Sequence, residues 1–133
     1  MLHSVLAVVA GFLVMAIIVM VGTALAVRFV LHVPIAAMQS PAPVLSRAYL
    51  ATNLSTSAIA AVAGGFTAAW IAGHDQLIHG LALAGVMIAM SIVSMRQAAG
   101  RQPRWYQAIL VVLMPVLAVG GAAWCAALAQ TTR

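Results

Sequence analysis

The stretch AYLATNLSTSAIAAVAGGFTAAWIAG, residues 48–73, contains no charged side chain. An α-helix rises 1.5 Å per residue, so about 20 apolar residues cross the roughly 30 Å of hydrocarbon in a bilayer. A segment of this length and composition therefore predicts a transmembrane helix. The whole chain of 133 residues has only six basic residues and one acidic residue, too few to give a soluble globule a wetted surface.

Three further uncharged stretches accompany this one, and each is long enough to cross a bilayer. They run over residues 5–27, 77–95 and 105–129. The segment Gly73-His74-Asp75 joins the second stretch to the third, and so short a link requires two antiparallel helices. Gly73 is typical of a helix end and Asp75 of a helix start. The sequence therefore predicts an all-α fold in a single transmembrane domain, an integral membrane four-helix bundle made of two helical hairpins.

The longer connections contain residues that stop helices. Ser40-Pro41-Ala42-Pro43 cannot continue a helix, and its apolar neighbours predict a loop that lies along the membrane surface. Arg28 ends the uncharged part of the first span, although the helix can continue towards Pro34. Gly100 and Pro103 supply an end signal and a start signal between the third and fourth spans.

The arginines predict the orientation of the chain. All but one of the six basic residues lie in or beside the first and third connections, on one side of the membrane. Because short cytoplasmic loops carry the excess of positive charge, both termini are predicted to lie on the non-cytoplasmic side. The use of Arg without Lys and the abundance of Ala suggest a bacterial source, so the predicted location is the bacterial inner (plasma) membrane, in multi-pass form. The arginines on the predicted cytoplasmic side are Arg28, Arg47, Arg96, Arg101 and Arg104.

Aromatic residues agree with this orientation. Tyr49, Trp105 and Tyr106 flank the predicted cytoplasmic boundary, whereas Trp70 and Trp124 lie near the opposite one. Tyr and Trp favour membrane–water interfaces, where the ring is buried and the polar atom is hydrated. All five are therefore predicted to be interfacial.

Small residues recur at helical spacing in the second and fourth spans. Residues four apart share one face of a helix, and small side chains allow two helices in lipid to approach closely. These faces predict helix packing, either inside one bundle or between subunits, and both alternatives are open at this point. The helix-packing candidates are Ala61, Gly64, Gly65, Ala69 and Gly121.

A polar ridge is predicted near the cytoplasmic end of the second span. Tyr49, Asn53 and Ser57 are spaced four residues apart, so their side chains share a helix face. Such a cluster either lines a pore mouth, binds a lipid headgroup, or forms hydrogen bonds between neighbouring helices. Pro115 interrupts the fourth span and predicts a kink, which shapes the bundle or exposes backbone carbonyls to a solute.

Several chemistries are excluded by what the spans lack. No Asp, Glu, Lys or Arg occurs within the four uncharged stretches, and Asp75, the one acid, lies in the hairpin turn. A proton-coupled antiporter of the small multidrug type needs an embedded carboxylate, and paired-carboxylate catalysis needs two. The few basic residues do not form a solvated patch for nucleic acid. The chain is therefore predicted not to be an enzyme and not to bind nucleic acid.

His, Met and Cys can bind metal ions, but in this sequence each has an interpretation simpler than a metal site. His74 and His79 are spaced five apart, which does not place both on one helix face, so interfacial histidines are preferred over a metal or haem site. Met87, Met90 and Met95 could ligate soft copper, but adaptable packing is the simpler interpretation. The single cysteine, Cys125, is interpreted as a small buried apolar residue. We predict no metal and no cofactor.

Gly64-Gly65-Phe66-Thr67-Ala68-Ala69, followed by a short turn and Ile78-His79-Gly80-Leu81, resembles small uncharacterised bacterial four-span inner-membrane proteins. Those proteins carry a Gly-Gly-aromatic segment in the second helix and a His-Gly pair at the start of the third. The resemblance covers mainly the second and third spans. It implies the four-span architecture and no particular activity.

Two functions agree with these features. The first is a non-enzymatic accessory or scaffold component that packs through its small-residue faces, in a homo-oligomer or a larger membrane complex. The second is a small oligomeric transporter or channel for a neutral or lipid-like solute, with Asn53 and the Pro115 kink beside its pathway. In both, the lipid bilayer is the constant partner of the chain.

Overall fold

The computed structural model describes residues 2–31, 47–97 and 103–131, and four helices in them are long and apolar enough to cross a membrane. This confirms the predicted all-α, four-span membrane bundle. The predicted loop around Ser40-Pro41-Ala42-Pro43, Gly100, Arg101 and Arg133 lie outside the described residues. The helices are α1 (Leu2–Leu25), α2 (Arg47–Ala72), α3 (Gln76–Gln97) and α4 (Arg104–Thr131), with a π-helical continuation of α1 over Ala26–Leu31.

Three of the helices are slightly longer than the uncharged stretches that predicted them, and α2 is as long as its stretch but begins one residue earlier. Arg47 and Arg104 begin α2 and α4, and Arg96 lies in the last turn of α3. A charged side chain marks where the hydrocarbon ends, whereas the backbone continues its helix into the headgroup region. The first helix continues past Arg28 as expected, although as a π-helix.

The turn between α2 and α3 matches its sequence signals. Gly73 adopts a left-handed φ of 69° and its N–H donates to the Ala69 carbonyl at 3.2 Å, which ends α2. Asp75 directly precedes α3, and its carbonyl accepts from the N–H of Ile78 at 2.9 Å. Asp75 also has a positive φ, 46°, so two left-handed residues reverse the chain.

The packing order of the helices differs from their order along the chain. α2 packs extensively against α1 and α4, and α3 packs extensively against α4. α2 and α3 make less contact although the short turn joins them, α1 and α3 make less again, and α1 and α4 make the least. The bundle is therefore closed along three sides, α1–α2, α2–α4 and α4–α3, and its fourth side, between α1 and α3, is the loosest of the four.

Side-chain size separates the inside of the bundle from its outside. The buried residues of α2 are small apart from Leu50, whereas large apolar side chains point outward. Ile59 is 65% exposed and Trp70 is 70% exposed, which suits a surface solvated by lipid tails. Lipid supplies no hydrophobic drive between helices, so close backbone packing inside must hold the bundle together.

Candidate functional site: a cavity between the first and third helices

A cavity of about 380 Å³ lies within the half of the bundle nearer to Arg96 and Arg104. All four helices line it, and it lies beside the loosest of the four sides of the bundle, the side between α1 and α3. Its volume is that of a small-molecule site. Its lining residues are Phe12, Met15, Val19, Asn53, Ser57, Met87, Met90, Ser91, Ser94, Met95, Gln107, Leu110, Val111 and Met114.

Asn53 is fixed at the wall of this cavity by hydrogen bonds to two other helices. Its Nδ2 donates to the Tyr106 hydroxyl on α4, and its Oδ1 accepts from Thr23 Oγ1 on α1 at 3.3 Å. Tyr106 is fully buried, with 1% exposure. The Thr23–Asn53–Tyr106 network therefore ties three helices together, and a buried network whose members are paired makes a rigid structure.

Gln107 follows Tyr106 in the sequence, but its amide nitrogen lacks the kind of hydrogen bond that the Tyr106 hydroxyl makes. Its side chain is only 8% exposed and lines the cavity, yet its Nε2 has no hydrogen-bond partner among the described residues. An unsatisfied buried donor costs roughly 1–3 kcal/mol, and a membrane interior offers little water to reduce that cost. This nitrogen is itself closed off from the cavity space, so Gln107 is a polar group that the fold leaves unpaired among the described residues.

Methionine is the most frequent residue type in the remaining wall. Met87 and Met114 are buried at the inner end of the cavity, whereas Met90 and Met95 are half-exposed beside its mouth. Unbranched thioether side chains adapt to ligands of different shape. Met87, Met90 and Met95, which were predicted to be adaptable packing residues, all line this cavity.

Pro115 changes the backbone hydrogen bonding of α4, the helix that carries Gln107. It lies inside α4 and is buried. Proline has no N–H, so the Val111 carbonyl does not receive the usual helical hydrogen bond from residue 115. Val111 is one of the lining residues. The proline therefore weakens the backbone pairing of α4 beside the cavity.

The lining changes in character with depth. Gln107 lies one helical turn from Arg104, and Ser94 lies less than a turn from Arg96, so both are within roughly 5 Å of the helix ends. Met114 lies seven residues beyond Gln107 and Met87 seven residues beyond Ser94, about two turns deeper in each helix. The end of the cavity nearer the arginines is polar, and its inner end is apolar.

The helix-packing candidates all lie inside the bundle. Ala61 and Ala69 are fully buried, and a Cβ on Gly64 would lie 2.8 Å from the Gly11 carbonyl oxygen of α1. A Cβ on Gly65 would collide with the Ala118 backbone, and one on Gly121 with the Val62 carbonyl. Of the two alternatives, packing within one bundle accounts for all five positions.

The predicted polar ridge is only partly brought together. Asn53 and Ser57 line the cavity, whereas Tyr49 lies one turn closer to the start of α2, half-buried and away from the lining. The hydrogen bonds of Asn53 to Thr23 and Tyr106 run across the bundle and not along the ridge, because neighbouring helices approach it more closely than its own next turns do.

Two functional residues escaped the sequence analysis. Tyr106 was predicted to be interfacial but is buried, because it lies on the face of α4 that packs against α2. Gln107 was not predicted to have a role, because it follows two aromatic residues at the boundary of a span. A usable signal existed, since Asn53 and Gln107 are the only amide side chains inside the four uncharged stretches.

His74 and His79 lie at the opposite end of the molecule. His79, in the first turn of α3, is buried among the helices, and its Nδ1 lies 3.0 Å from the Asp75 carbonyl, to which it must donate. The His74 ring packs edge-on against it, with centroids 5.7 Å apart. Among the described residues, no group of three or more His, Cys, Asp or Glu could hold a metal ion.

Comparison with known proteins identified no relative. No family model matches the chain, and neither does any curated protein or solved structure.

Proposed function

We propose that this membrane protein binds a neutral or lipid-like molecule that enters its cavity sideways from the bilayer, as part of a small transporter, channel or carrier. The observation that carries the proposal is the cavity itself, which all four helices line and which lies where α1 and α3 pack loosely. Its volume and its mostly apolar lining with a few polar side chains are those of a small-molecule site.

The chemistry of the lining supports an uncharged ligand portion. The described lining residues are amide, hydroxyl, thioether, aliphatic and aromatic, with no ionisable side chain among them. An ionised group would be costly to bury in such a site. The methionines supply an adaptable surface, and the polar residues near the mouth supply orientation.

We also propose the orientation that the arginines predict, with both termini on the non-cytoplasmic side of a bacterial inner membrane. Arg28, Arg47, Arg96 and Arg104 are all exposed and lie at the same end of the bundle. Positive residues favour the cytoplasmic side, so the cavity opens in the half of the bilayer that faces the cytoplasm.

The accessory or scaffold role stays a prediction. It followed from the small-residue faces and the lack of embedded charge, and the five small-residue candidate positions pack within the bundle. No lining residue is placed to act as a nucleophile or a general base, so the cavity is proposed as a binding site and not as the active site of an enzyme.

Filling the cavity tests the proposal. Ser57→Leu places a larger side chain at the cavity wall, whereas Ser55→Leu makes the same change on the exposed side of α2, where Ser55 bonds only its own helix at the Ala51 carbonyl. Each protein is extracted gently, and the mass of retained small molecules is measured by native mass spectrometry.

We expect the unmodified protein and Ser55→Leu to retain the same lipid-like mass and Ser57→Leu to lose most of it. Equal retention by all three proteins would contradict binding in this cavity. A stoichiometric foreign protein in place of a small molecule would favour the accessory role instead.

A further inference from the structure

We infer that one end of the bundle binds anionic phospholipids of the surrounding bilayer, with a lipid phosphate held by Arg96 and Arg104. This end carries four exposed arginines, one on each helix when the π-helical continuation of α1 is included. The arginines are Arg28, Arg47, Arg96 and Arg104. They lie at the helix ends, so the inference does not depend on a ligand in the cavity.

No acidic side chain of the protein is placed to neutralise these four charges. The only one in the sequence is Asp75, which lies in the turn between α2 and α3, at the opposite end of the bundle. The preference of positive residues for the cytoplasmic side accounts for where the arginines lie, but not for what neutralises them. Their counter-charge must therefore come from outside the chain.

The packing of α3 against α4 brings two of the arginines to the same level. A Cβ on Gly80 of α3 would collide with the Ala122 side chain of α4, so these two residues are level. Sixteen residues further along α3 is Arg96, and sixteen residues back along antiparallel α4 is Tyr106, two residues from Arg104. Two positive charges thus lie at nearly the same depth on neighbouring helices, and an anion beside them lowers their repulsion.

Phospholipid phosphates are the anions that a bilayer supplies at this depth. Arg104 begins α4, and the Trp105 side chain beside it is 57% exposed, as is typical of an aromatic ring at the membrane–water interface. Arginine pairs with phosphate through two parallel hydrogen bonds. A zwitterionic headgroup brings a cation of its own, whereas an anionic one does not. A lipid such as phosphatidylglycerol is therefore expected to bind here better than phosphatidylcholine.

Two tryptophans allow the lipids at the two ends of α4 to be compared. Trp105 and Trp124 are both more than half exposed, and no arginine among the described residues lies at the Trp124 end of the bundle. One variant keeps only Trp105 (Trp70→Phe with Trp124→Phe), and a second keeps only Trp124 (Trp70→Phe with Trp105→Phe).

Each variant is reconstituted in vesicles of dioleoyl phosphatidylglycerol and dioleoyl phosphatidylcholine, in which one of the two lipids carries brominated chains. Bromine quenches the fluorescence of a tryptophan that it contacts, so the quenching gives the relative affinity of the two lipids beside that ring. We expect phosphatidylglycerol to be preferred at least about fivefold beside Trp105, the contribution of one arginine near an anionic surface, and not to be preferred beside Trp124.

Arg96→Gln combined with Arg104→Gln, made in the variant that keeps only Trp105, should remove most of the preference. Arg96→Lys combined with Arg104→Lys is the matched control, because it keeps both charges and should retain a preference for phosphatidylglycerol.

Three outcomes would contradict the inference. Equal affinity of the two lipids beside Trp105, with all the arginines present, would show that this end does not select anionic lipid. An equal preference beside Trp105 and Trp124 would show that the selection is not a property of the end that carries the arginines. A preference that the two Gln substitutions leave undiminished would overturn the assignment of the phosphate to Arg96 and Arg104.

Discussion

The seam between α2 and α4 and the gap between α1 and α3 show two ways in which helices meet in this bundle. Along the seam, Gly65 and Gly121 leave no room for a Cβ, and the backbones themselves are in contact. Across the gap, Phe12 and Met15 face Met87 and Met90, and the helices stay apart around a cavity. Small residues therefore bring helices into close contact in this protein, and large flexible ones surround its cavity.

The largest effect is expected where the seam is tightest. Gly121→Ala puts a methyl group against the Val62 carbonyl and should destabilise the bundle by about 2 kcal/mol, the usual cost of overpacking. Gly120→Ala is the adjacent control, because a Cβ at Gly120 meets nothing within 4 Å. It should stabilise α4 by up to about 1 kcal/mol, since alanine is the better helix former.

Denaturant unfolding in micelles, followed by helical circular dichroism, measures both changes. If Gly120→Ala and Gly121→Ala shifted the unfolding midpoint equally, the seam would not be the close contact described above.

A smaller effect is expected from the network that joins the seam to the cavity. Asn53→Ala leaves the Tyr106 hydroxyl without its donor and Thr23 without its acceptor. A double-mutant cycle of Asn53→Ala with Tyr106→Phe should give a coupling free energy of about 0.6–1.7 kcal/mol, the range for hydrogen bonds between transmembrane helices. Strict additivity of the two substitutions would show that the two side chains do not stabilise each other.

The smallest effect on the free energy of unfolding, and one of opposite sign, is expected at Gln107, the other amide side chain in the uncharged stretches. In lipid-free protein, Gln107→Leu removes an unsatisfied donor and should leave the free energy of unfolding unchanged or raise it by up to about 1 kcal/mol. Asn53→Leu is the natural comparison and should destabilise. A loss of stability in lipid-free Gln107→Leu as large as that in Asn53→Leu would show that Gln107 is paired within the bundle.

The four spans and the hairpin turn were predictable from the sequence because they depend on local properties. Absence of charge over a sufficient length predicts a span, and Gly73 and Asp75 predict a turn. These signals do not require knowledge of which helices become neighbours. The same holds for the small-residue positions, whose spacing predicts close packing without naming the partner.

The cavity was not predictable in this way because it depends on pairings between distant helices. The short turn suggests that α2 and α3 are the closest partners, but Gly65 and Gly121 bring α2 against α4 instead. That pairing buries Tyr106 and turns Gln107 into the space between the helices. From sequence alone both residues resemble the interfacial neighbours of Trp105.

The pairing of α2 with α4 also has a consequence for biosynthesis. The ribosome delivers the helices to the membrane in chain order, so α1 and α2 can associate as soon as both are inserted. Gly65 meets its partner Ala118 only when α4 has been synthesised. Until then the close contact at Gly65 is not made, and the cavity has no wall on the side of Gln107. Synthesis of α4 is thus the event that closes the bundle and completes the wall of its cavity.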